Sequence, residues 1–337
     1  MPVLAGVRSS VEGDVLRLVG SDLDLTIEAQ ATVSGTSDGS AVIPARLGAE
    51  IFRALEPGTV QVEVTGEQAQ ITSGRSVFSV RTLPADDYPR LPEPPVGAVT
   101  IGAAAFADAL KQVIPAASHD DARPILTGVL LAAEAGGLRL VATDSYRLAV
   151  RDLPGTSVLA DGQSVLVPSR ALAELSRVLG GAESVVLRLG DRDATFEVGA
   201  TRITTRLIEG QYPPYRNLIP QTLANKLTVS RTVLLDALRR VRLLAKDATP
   251  VRLKLQAGGA ELVAITQDVG QATEDIEGTF TGTDLLVAFN PEFLIAGVDY
   301  AVGDMITLET IDGLKPALIR SVDHPDYLYL LMPVRVS

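Results

Sequence analysis

The side chains that could perform acid–base catalysis or bind a metal are few and poorly arranged in this sequence. Residues 119–121 (His-Asp-Asp) are consecutive, and consecutive side chains rarely point at one centre. A solvated turn before Pro124 is therefore the stronger interpretation. Asp22 and Asp24 could form a carboxylate pair, although a turn at the end of a strand explains them equally well. His324 precedes a proline and has no candidate nucleophile near it in the sequence.

The composition of the 337 residues excludes further kinds of site. Cysteine is absent and only two histidines occur, which rules out disulfides, thiolate nucleophiles, cysteine-based zinc or iron–sulfur centres and a three-histidine metal site. The sequence also lacks a phosphate-binding glycine-rich loop and a Gly-x-Ser-x-Gly nucleophile motif. We therefore predict a protein without catalysis, metal or cofactor, with a triplicated β-rich enzyme as an alternative.

Arginines on predicted helices are the more informative polar residues. Arg46 and Arg53 are seven residues apart, two helical turns along one face, and Arg170 and Arg177 repeat this spacing. The segment 231–247 carries five basic residues against two acids. The whole chain has a formal net charge of −11, so positive charge collected on helices predicts a surface for a polyanion. A solvated helix face is the simpler alternative for any one helix.

Three sets of motifs recur in the same order at a spacing of about 123 residues. Pro44, Pro168 and Pro291 each mark the start of a predicted helix and are 124 and 123 residues apart. A strand-like segment followed by a proline occurs three times. An apolar strand that begins at a proline and ends in a polar turn also occurs three times, first between Pro2 and Asp22. These recurrences predict a tandem triplication.

The elements that must position the charged residues follow simple periodic patterns. Residues 60–65 and 78–81 alternate apolar and polar side chains, which predicts strands with one buried and one wet face. Residues 106–111 and 234–239 have the pattern of amphipathic helices. Each full repeat is then two helices and roughly eight strands, an α+β arrangement. Proline-rich segments divide the chain into domains 1–94, 95–220 and 221–337.

Several motifs resemble those of one protein family. Residues 141–150 (VATDSYRLAV) are similar to the second-domain signature of the bacterial sliding clamp, the beta processivity subunit of DNA polymerase III. Residues 330–336 (LLMPVRV) are similar to its C-terminal tail, and residues 73–89 and 207–216 match it as well. The family implies three tandem clamp domains, each with two helices packed on curved antiparallel sheets, and a six-domain ring formed by a homodimer.

The resemblance implies a processivity factor that encircles duplex DNA without reading its sequence. Its partners would be the replicative DNA polymerase, the clamp loader, other proteins with a clamp-binding motif and a second copy of the chain. Carried over by position, the dimer interface would include Phe78, Val80 and Leu243. The DNA channel would contain Arg46, Arg53, Arg170, Arg177, Arg239 and Arg240.

The same resemblance implies a pocket for a short partner peptide between the second and third domains. Leucine, proline and methionine side chains would line an apolar groove, and Arg147 and Asn290 would hold polar groups of the peptide. Ordinary core packing is the alternative for each apolar residue taken alone. The implied pocket residues are Leu126, Thr143, Ser145, Tyr146, Arg147, Leu148, Pro213, Asn217, Leu218, Asn290, Phe293, Leu314, Pro316, Leu330, Leu331, Met332, Pro333, Val334 and Arg335.

The first repeat departs from the family pattern, because the strand and helix that open the other repeats have no counterpart before Pro2. A sequence that starts late and a shortened clamp paralogue both explain this. The paralogue would act as a peptide-binding adaptor or decoy without stable DNA encirclement. The N-terminus has no signal-peptide pattern, and no stretch reaches the ~18 apolar residues of a spanning helix, which predicts a cytoplasmic protein.

Overall fold

The computed structural model describes residues 2–91, 93–134, 136–245 and 249–335. The chain forms two compact units. The first unit is built from residues 1–104 and 177–207, and the second unit from residues 105–176 and 208–337. The second repeat of the sequence therefore contributes to both units.

The described residues form three similar series of strands and helices. The first series comprises β1 (Gly6–Glu12), β2 (Val15–Ser21), β3 (Leu25–Thr32), β4 (Gly39–Pro44), α1 (Ala45–Ala54), β5 (Gln61–Thr65), β6 (Gln68–Ser73) and β7 (Ser76–Arg81). The second comprises β8 (Val99–Gly102), α2 (Ala103–Val113), β9 (Gly128–Glu134), β10 (Gly137–Thr143), β11 (Arg147–Pro154), β12 (Ser164–Pro168), α3 (Ser169–Val178), β13 (Ser184–Leu189), β14 (Asp193–Val198) and β15 (Thr201–Arg206). The third comprises β16 (Asn225–Ser230), α4 (Arg231–Val241), β17 (Val251–Gln256), β18 (Gly259–Thr266), β19 (Gly270–Glu277), β20 (Thr279–Thr281), β21 (Leu285–Phe289), α5 (Pro291–Asp299), β22 (Met305–Thr310), β23 (Ala317–Ser321) and β24 (Tyr327–Leu331). The predicted α+β triplication is confirmed.

The strands form antiparallel sheets in each unit. The first unit contains an eight-stranded sheet, in the order β4-β1-β2-β3-β15-β14-β13-β8, and a three-stranded sheet, β5-β6-β7. The second unit contains a nine-stranded sheet, β12-β9-β10-β11-β24-β23-β22-β16-β20, and a four-stranded sheet, β19-β18-β17-β21. The two large sheets each combine strands of two repeats.

Two ladders join neighbouring repeats, and they share one register. In the first junction, β3 pairs with β15 and Ala29 lies opposite Thr201. In the second junction, β11 pairs with β24 and Arg151 lies opposite Tyr327. Each of these pairs joins the fifth residue of one strand to the first residue of the other. The backbone contact between repeats is therefore the same contact used twice.

The predicted amphipathic helices bury their apolar faces. Phe106 of α2 and Leu234 and Leu238 of α4 are fully buried. α4 packs on β18, β19 and α5, and α5 packs on β24. Gly297 of α5 permits that last approach, because a Cβ atom there would lie only 2.5 Å from the ring of Tyr329. None of the helices in the described ranges is both long and apolar enough to cross a membrane.

The predicted alternation is wrong for β5. Its residues are exposed on both faces, and Val62 and Val64 are each 44% exposed. The apolar cluster of this sheet is instead formed by Ile51 of α1 with Ile71 and Val80, on the two other strands. Both faces of β5 are exposed, so its alternating pattern has no covered side to match.

The proline motifs lie slightly differently from the prediction. Pro291 is the first residue of α5, as predicted, whereas Pro44 and Pro168 directly precede α1 and α3. The segments that begin at a proline and end in a polar turn are two-stranded hairpins, β1–β2, β9–β10 and β17–β18, rather than single strands. Of the basic segment 231–247, residues 246 and 247 lie outside the described residues.

Candidate functional site

A tightly hydrogen-bonded turn connects β10 to β11 at the second junction. The Thr143 hydroxyl donates to the carbonyl of Arg147 (2.6 Å) and accepts from the amide of Ser145 (3.1 Å). Asp144 Oδ1 accepts from the amides of Tyr146 and Arg147 (2.9 and 3.0 Å). Ser145 has a φ of +81°, which an L-residue other than glycine rarely adopts. These bonds fix the positions from which Tyr146 and Arg147 project.

Arg147 links this turn to the start of α5. Its Nε donates to Asp144 Oδ2 (2.9 Å), and its guanidinium lies over the Phe293 ring, 4.3 Å from the centroid. Tyr146 stacks against the same ring, with centroids 6.3 Å apart. A planar cation held by a carboxylate and an aromatic face keeps a fixed orientation.

Phe293 is itself positioned by two hydrogen bonds to the backbone of α5. Asn290 caps this helix, and its Oδ1 accepts from the amides of Glu292 (2.9 Å) and Phe293 (3.4 Å). The Tyr329 hydroxyl donates to the Phe293 carbonyl (2.9 Å). The expectation that Asn290 holds a peptide group needs correction for its carbonyl oxygen, because that atom already satisfies the helix N-terminus.

The C-terminal segment runs alongside the turn. Arg147 pairs with Leu331 in the β11–β24 ladder. Beyond the ladder, the amide of Met332 donates to the carbonyl of Tyr146 (2.9 Å), and the amide of Val334 donates to the carbonyl of Ala288 (2.7 Å). The predicted pocket residues of the turn, of α5 and of the tail are therefore brought together.

Two tyrosines of the segment after β15 complete the second junction. Tyr215 joins an apolar cluster with Val141, Leu148, Val150, Leu318 and Leu330, and Tyr212 packs against that cluster. Beside it, Arg139 Nε donates to Asp152 (2.6 Å) and Arg139 Nη1 donates to Glu134 (3.1 Å). The Tyr215 hydroxyl donates to Glu134 (3.3 Å). Burial raises the pKa of both Tyr212 and Tyr215, so both phenols stay neutral near pH 7.

The structure separates exposed groove residues from buried ones. Tyr146 is 60% exposed, Leu314 69%, Leu218 46% and Met332 38%. Leu148 is fully buried, which corrects its expected role in the groove floor, because the linker tyrosines and β24 already cover it. The other buried members of the expected pocket are Leu126, Thr143, Leu330 and Leu331.

The remaining expected pocket residues lie at or near the surface. Ser145, Asn217 and Arg335 are exposed, and Pro213, Pro316, Pro333 and Val334 are half-buried. Leu126, Asn217, Leu218, Leu314 and Pro316 take no part in the turn, ring and tail contacts described above. Tyr146 and Met332 are therefore exposed side by side, whereas the contribution of Leu218 and Leu314 to one groove with them stays a prediction.

The arginines expected to face DNA are all exposed, but several already have acidic partners. Arg46 pairs with Glu50 on α1 (3.0 Å), and Arg53 is exposed at the end of the same helix. Arg170 and Arg177 are exposed on α3. Arg239 lies 3.4 Å from Asp299 and 3.7 Å from Asp236.

Arg240 departs from the expected arrangement. It forms an ion pair with Glu274 of the edge strand β19, and this pair lowers the pKa of the Glu274 carboxyl. The Arg240 guanidinium is thus held at the edge of the sheet by Glu274, which lies 34 positions later in the sequence. The count of basic residues on the helix could not reveal this partner.

The residues expected at a dimer interface also differ among themselves. Leu243 is 76% exposed in a 3-10 turn after α4. Phe78 is half-buried, and Val80 is only 4% exposed because it packs against Ile51 and Ile71. Val80 therefore packs in the core of its own sheet, and its part in a dimer interface stays a prediction.

The acidic groups noted in the sequence are parts of turns. Asp22 Oδ1 accepts from the amides of Asp24 and Leu25 (3.1 and 2.8 Å), and Asp120 accepts from Ala122 and Arg123 (both 3.0 Å). No group of three histidine or acidic side chains that could hold a metal occurs within the described ranges.

The sequence analysis missed Asp144 and Arg123 as organisers of the site. Asp144 fixes the turn and Arg147, and Arg123 Nη1 donates to the Ser145 hydroxyl (3.2 Å). One signal was available, since Ser21-Asp22 and Thr143-Asp144 recur at the repeat spacing. Both aspartates make the same turn.

Comparison with known proteins accounts for nearly the whole chain. Models of the N-terminal, central and C-terminal domains of the DNA polymerase III beta subunit match residues 1–92, 100–214 and 216–335. The beta sliding clamp of Streptomyces coelicolor is 34% identical, over all of this chain and 93% of its own length.

Solved structures agree with these matches. The DNA polymerase III beta subunit of Thermotoga maritima superimposes with a TM-score of 0.91 at 26% identity, over all of this chain and 92% of that one. The Pseudomonas aeruginosa sliding clamp bound to griselimycin gives 0.91 at 28%, with the same coverage. The three matched domains, the relatives, the repeated ladder and the contacts between turn and tail lead to one conclusion: the chain belongs to the bacterial beta sliding clamp family.

Proposed function

We propose that two copies of this chain close a ring around duplex DNA and hold the replicative DNA polymerase on it. A short peptide of the polymerase binds the groove at the second junction. The clamp loader and other proteins with the same motif use this groove in turn. The protein works in the cytoplasm, without catalysis and without a cofactor.

The observation that carries this proposal is a pair of free edge strands. β7 ends its repeat as β15 and β24 end theirs, and β19 is the equivalent of β3 and β11. β7 and β19 each lie at the edge of their sheet, with one neighbouring strand among the described residues. An unpaired edge strand is a ready site for a further strand. A β7–β19 ladder between two copies would repeat the contact already used twice within the chain, head to tail.

The shared register makes this ladder testable at single residues. By analogy with Ala29–Thr201 and Arg151–Tyr327, Glu274 of one copy should lie opposite Ser76 of its partner. Hydrogen bonds of both intrachain junctions flank this position, so it is a non-hydrogen-bonded pair, in which the side chains lie closest. Cβ atoms about 4.5–5.5 Å apart are near the distance a disulfide needs.

The absence of native cysteine allows a clean cross-linking experiment. Oxidation of Ser76→Cys/Glu274→Cys should give a covalent dimer on a non-reducing gel, which should stay on nicked circular DNA and slide off after linearisation. The control Ser76→Cys/Thr273→Cys places one thiol on the opposite face and should cross-link poorly. Efficient cross-linking of the control alone would overturn the register. Sedimentation as monomer only at micromolar concentration would overturn the ring and leave a peptide-binding adaptor.

The exposed arginines on helices support contact with the DNA backbone. Arg53, Arg170 and Arg177 are exposed on α1 and α3, and Arg239 on α4. Lysine and arginine contacts to phosphate carry no sequence information and weaken steeply as salt rises. Binding to short linear duplexes should therefore be weak and salt-dependent, whereas retention on circular DNA should depend on ring closure. Charge reversal at all four arginines should abolish loading; unchanged loading would disprove this DNA-facing assignment.

The exposed apolar residues at the second junction support the peptide groove. Met332 is exposed beside the hydrogen-bonded turn that carries Tyr146 and Arg147, and the exposed side chains of Leu218 and Leu314 would extend this apolar surface. A peptide of the type Gln-Leu-x-Leu-Phe should bind here with roughly micromolar affinity, about −8 kcal/mol. The clamp from Pseudomonas aeruginosa, solved with griselimycin, is a precedent for ligand binding by a similar protein.

A further inference from the structure

The first junction carries a cavity of about 720 Å³ on one face of the eight-stranded sheet. Its charged lining comes from four strands, with Arg8 on β1, Arg17 on β2, Glu28 on β3 and Arg202 on β15. Leu91, in the segment that follows β7, also lines it. Pockets for small ligands and peptide side chains typically have volumes of about 300–1,000 Å³. The cavity is therefore large enough for a few residues of an extended peptide.

Two of these arginines lack partners within the described part of the chain. Arg8 Nε is buried and donates no hydrogen bond to a described residue, and neither Arg8 nor Arg17 forms an ion pair with a described residue. Arg202, in contrast, contacts Glu197 (3.2 Å) and Glu28 (3.7 Å). Burying a guanidinium nitrogen without a hydrogen-bond acceptor costs free energy, so an acceptor supplied by a bound ligand would remove this cost.

At the second junction, the residues equivalent to those of the cavity lining differ in charge and size. Leu130 takes the place of Arg8, so no buried charge is present there. Arg139, the equivalent of Arg17, is bound by Asp152 and Glu134. Tyr215 is the equivalent of Leu91, because each follows a tyrosine by three residues in the segment between two repeats. The Tyr215 ring packs on the apolar cluster and covers this part of the sheet. The first junction thus holds two arginines without described partners in a lining of mixed charge, whereas at the second junction the arginine is neutralised and the surface is closed.

We propose that this cavity binds a carboxylate side chain of an acidic peptide segment from a partner protein, with Arg8 and Arg17 as its anchors. Guanidinium groups match the planar, bidentate geometry of a carboxylate. Leu91, Val19 and Pro94 give apolar surface for the neighbouring peptide residues. The other acidic side chains of the lining, which disfavour a polyanion such as nucleic acid, are Glu12, Asp38 and Glu93.

Calorimetry on the full chain tests this with two blocked peptides of equal shape, acetyl-Leu-Asp-Leu-amide and acetyl-Leu-Asn-Leu-amide. The aspartate peptide should bind at least tenfold more tightly. Arg8→Leu and Leu91→Tyr, which introduce the residue types of the second junction, should each weaken it at least tenfold, and so should Arg17→Gln at an exposed position. Lys254→Gln removes an exposed charge from β17 and should leave binding unchanged. All four variants should still bind the Gln-Leu-x-Leu-Phe peptide, which separates this site from the groove of the proposed function.

Several results would overturn the assignment. Equal binding of the two peptides, no binding of the aspartate peptide, or full binding by Leu91→Tyr and Arg17→Gln would each do so. Displacement of the aspartate peptide by an equal concentration of inorganic phosphate would make the cavity a small-anion site instead. Displacement by duplex DNA would reassign it to nucleic acid.

Discussion

The two junctions use the same backbone ladder in the same register, yet the sheet faces above them differ in polarity. At the first junction the equivalent positions carry Arg8, Glu28 and Arg202; at the second they carry Leu130, Val150 and Leu328. Main-chain pairing therefore fixes how the repeats join. The side chains on one face decide what each junction can bind.

A single residue explains much of the difference in charge. Arg17 lies opposite Gln30 in the β2–β3 ladder, whereas Arg139 lies opposite Asp152 in the β10–β11 ladder. An amide in place of a carboxylate leaves the first arginine without its cross-strand partner. The second junction can therefore pack neutral aromatic rings over its arginine, whereas the first retains a charged cavity.

Truncation of the equivalent residues Tyr215 and Leu91 should show the largest difference in stability between the junctions. Tyr215 is 4% exposed in an apolar cluster, so Tyr215→Ala should cost about 3–5 kcal/mol of local stability. Leu91 is half-buried beside a cavity, so Leu91→Ala should cost only about 1 kcal/mol. Native-state hydrogen exchange of β11 and β3 measures both. Equal losses would mean that the first junction is packed as tightly as the second.

Substitutions in the peptide groove should separate binding from stability. Leu314→Ala with Met332→Ala should weaken the Gln-Leu-x-Leu-Phe peptide by at least ~2 kcal/mol, more than thirtyfold, with little change in unfolding. Leu148→Ala should instead cost about 2–5 kcal/mol of stability, because this side chain is fully buried. Calorimetry and thermal denaturation of the same samples give both values. Unchanged affinity in the double variant would place the peptide elsewhere.

Alkaline pH should open the second junction before the first. Burial raises the pKa of Tyr212, Tyr215 and Tyr329 on this side, against Tyr88 alone at the first junction. An unfolded tyrosine ionises near pH 10, so the neutral buried phenols stabilise the fold below that value. The stabilisation is lost as pH rises toward the higher folded pKa values. Tyrosinate absorbance with hydrogen exchange checks the order, and Tyr212→Phe should reduce the loss at the second junction.

The strained turn residues should give the smallest effects. Leu23 and Ser145 occupy equivalent turn positions, each with a φ of +81°. Leu23→Gly should raise stability by about 1 kcal/mol, because glycine tolerates this conformation and the exposed leucine makes little packing contact. Ser145→Gly should change it by less than ~0.5 kcal/mol, because it also removes the hydrogen bond from Arg123. Chemical denaturation compares the two, and Leu23→Ala, which keeps a Cβ atom, should show no comparable gain.

Much of the fold could be predicted from the sequence because the same motifs recur in three repeats. The recurrence of Pro44, Pro168 and Pro291 and the amphipathic patterns of α2 and α4 predicted the triplication and the helices correctly. The motif around Arg147 and the tail around Met332 identified the segments of the groove. These signals are local or periodic, so they do not depend on knowing which segments meet.

The sequence by itself determined the repeats, the helices, the family and the segments that build the groove. Only the tertiary structure decided which side chains stay exposed. Leu148 is covered by tyrosines more than sixty residues later in the sequence, whereas Met332 remains exposed. Val80 packs into the core of its own sheet. An alternating strand defines which residues share a face but not which face another segment covers. The pairing of Arg240 with Glu274, like the position of Gln30 opposite Arg17, depends on contacts across strands that charge counts along the chain do not contain.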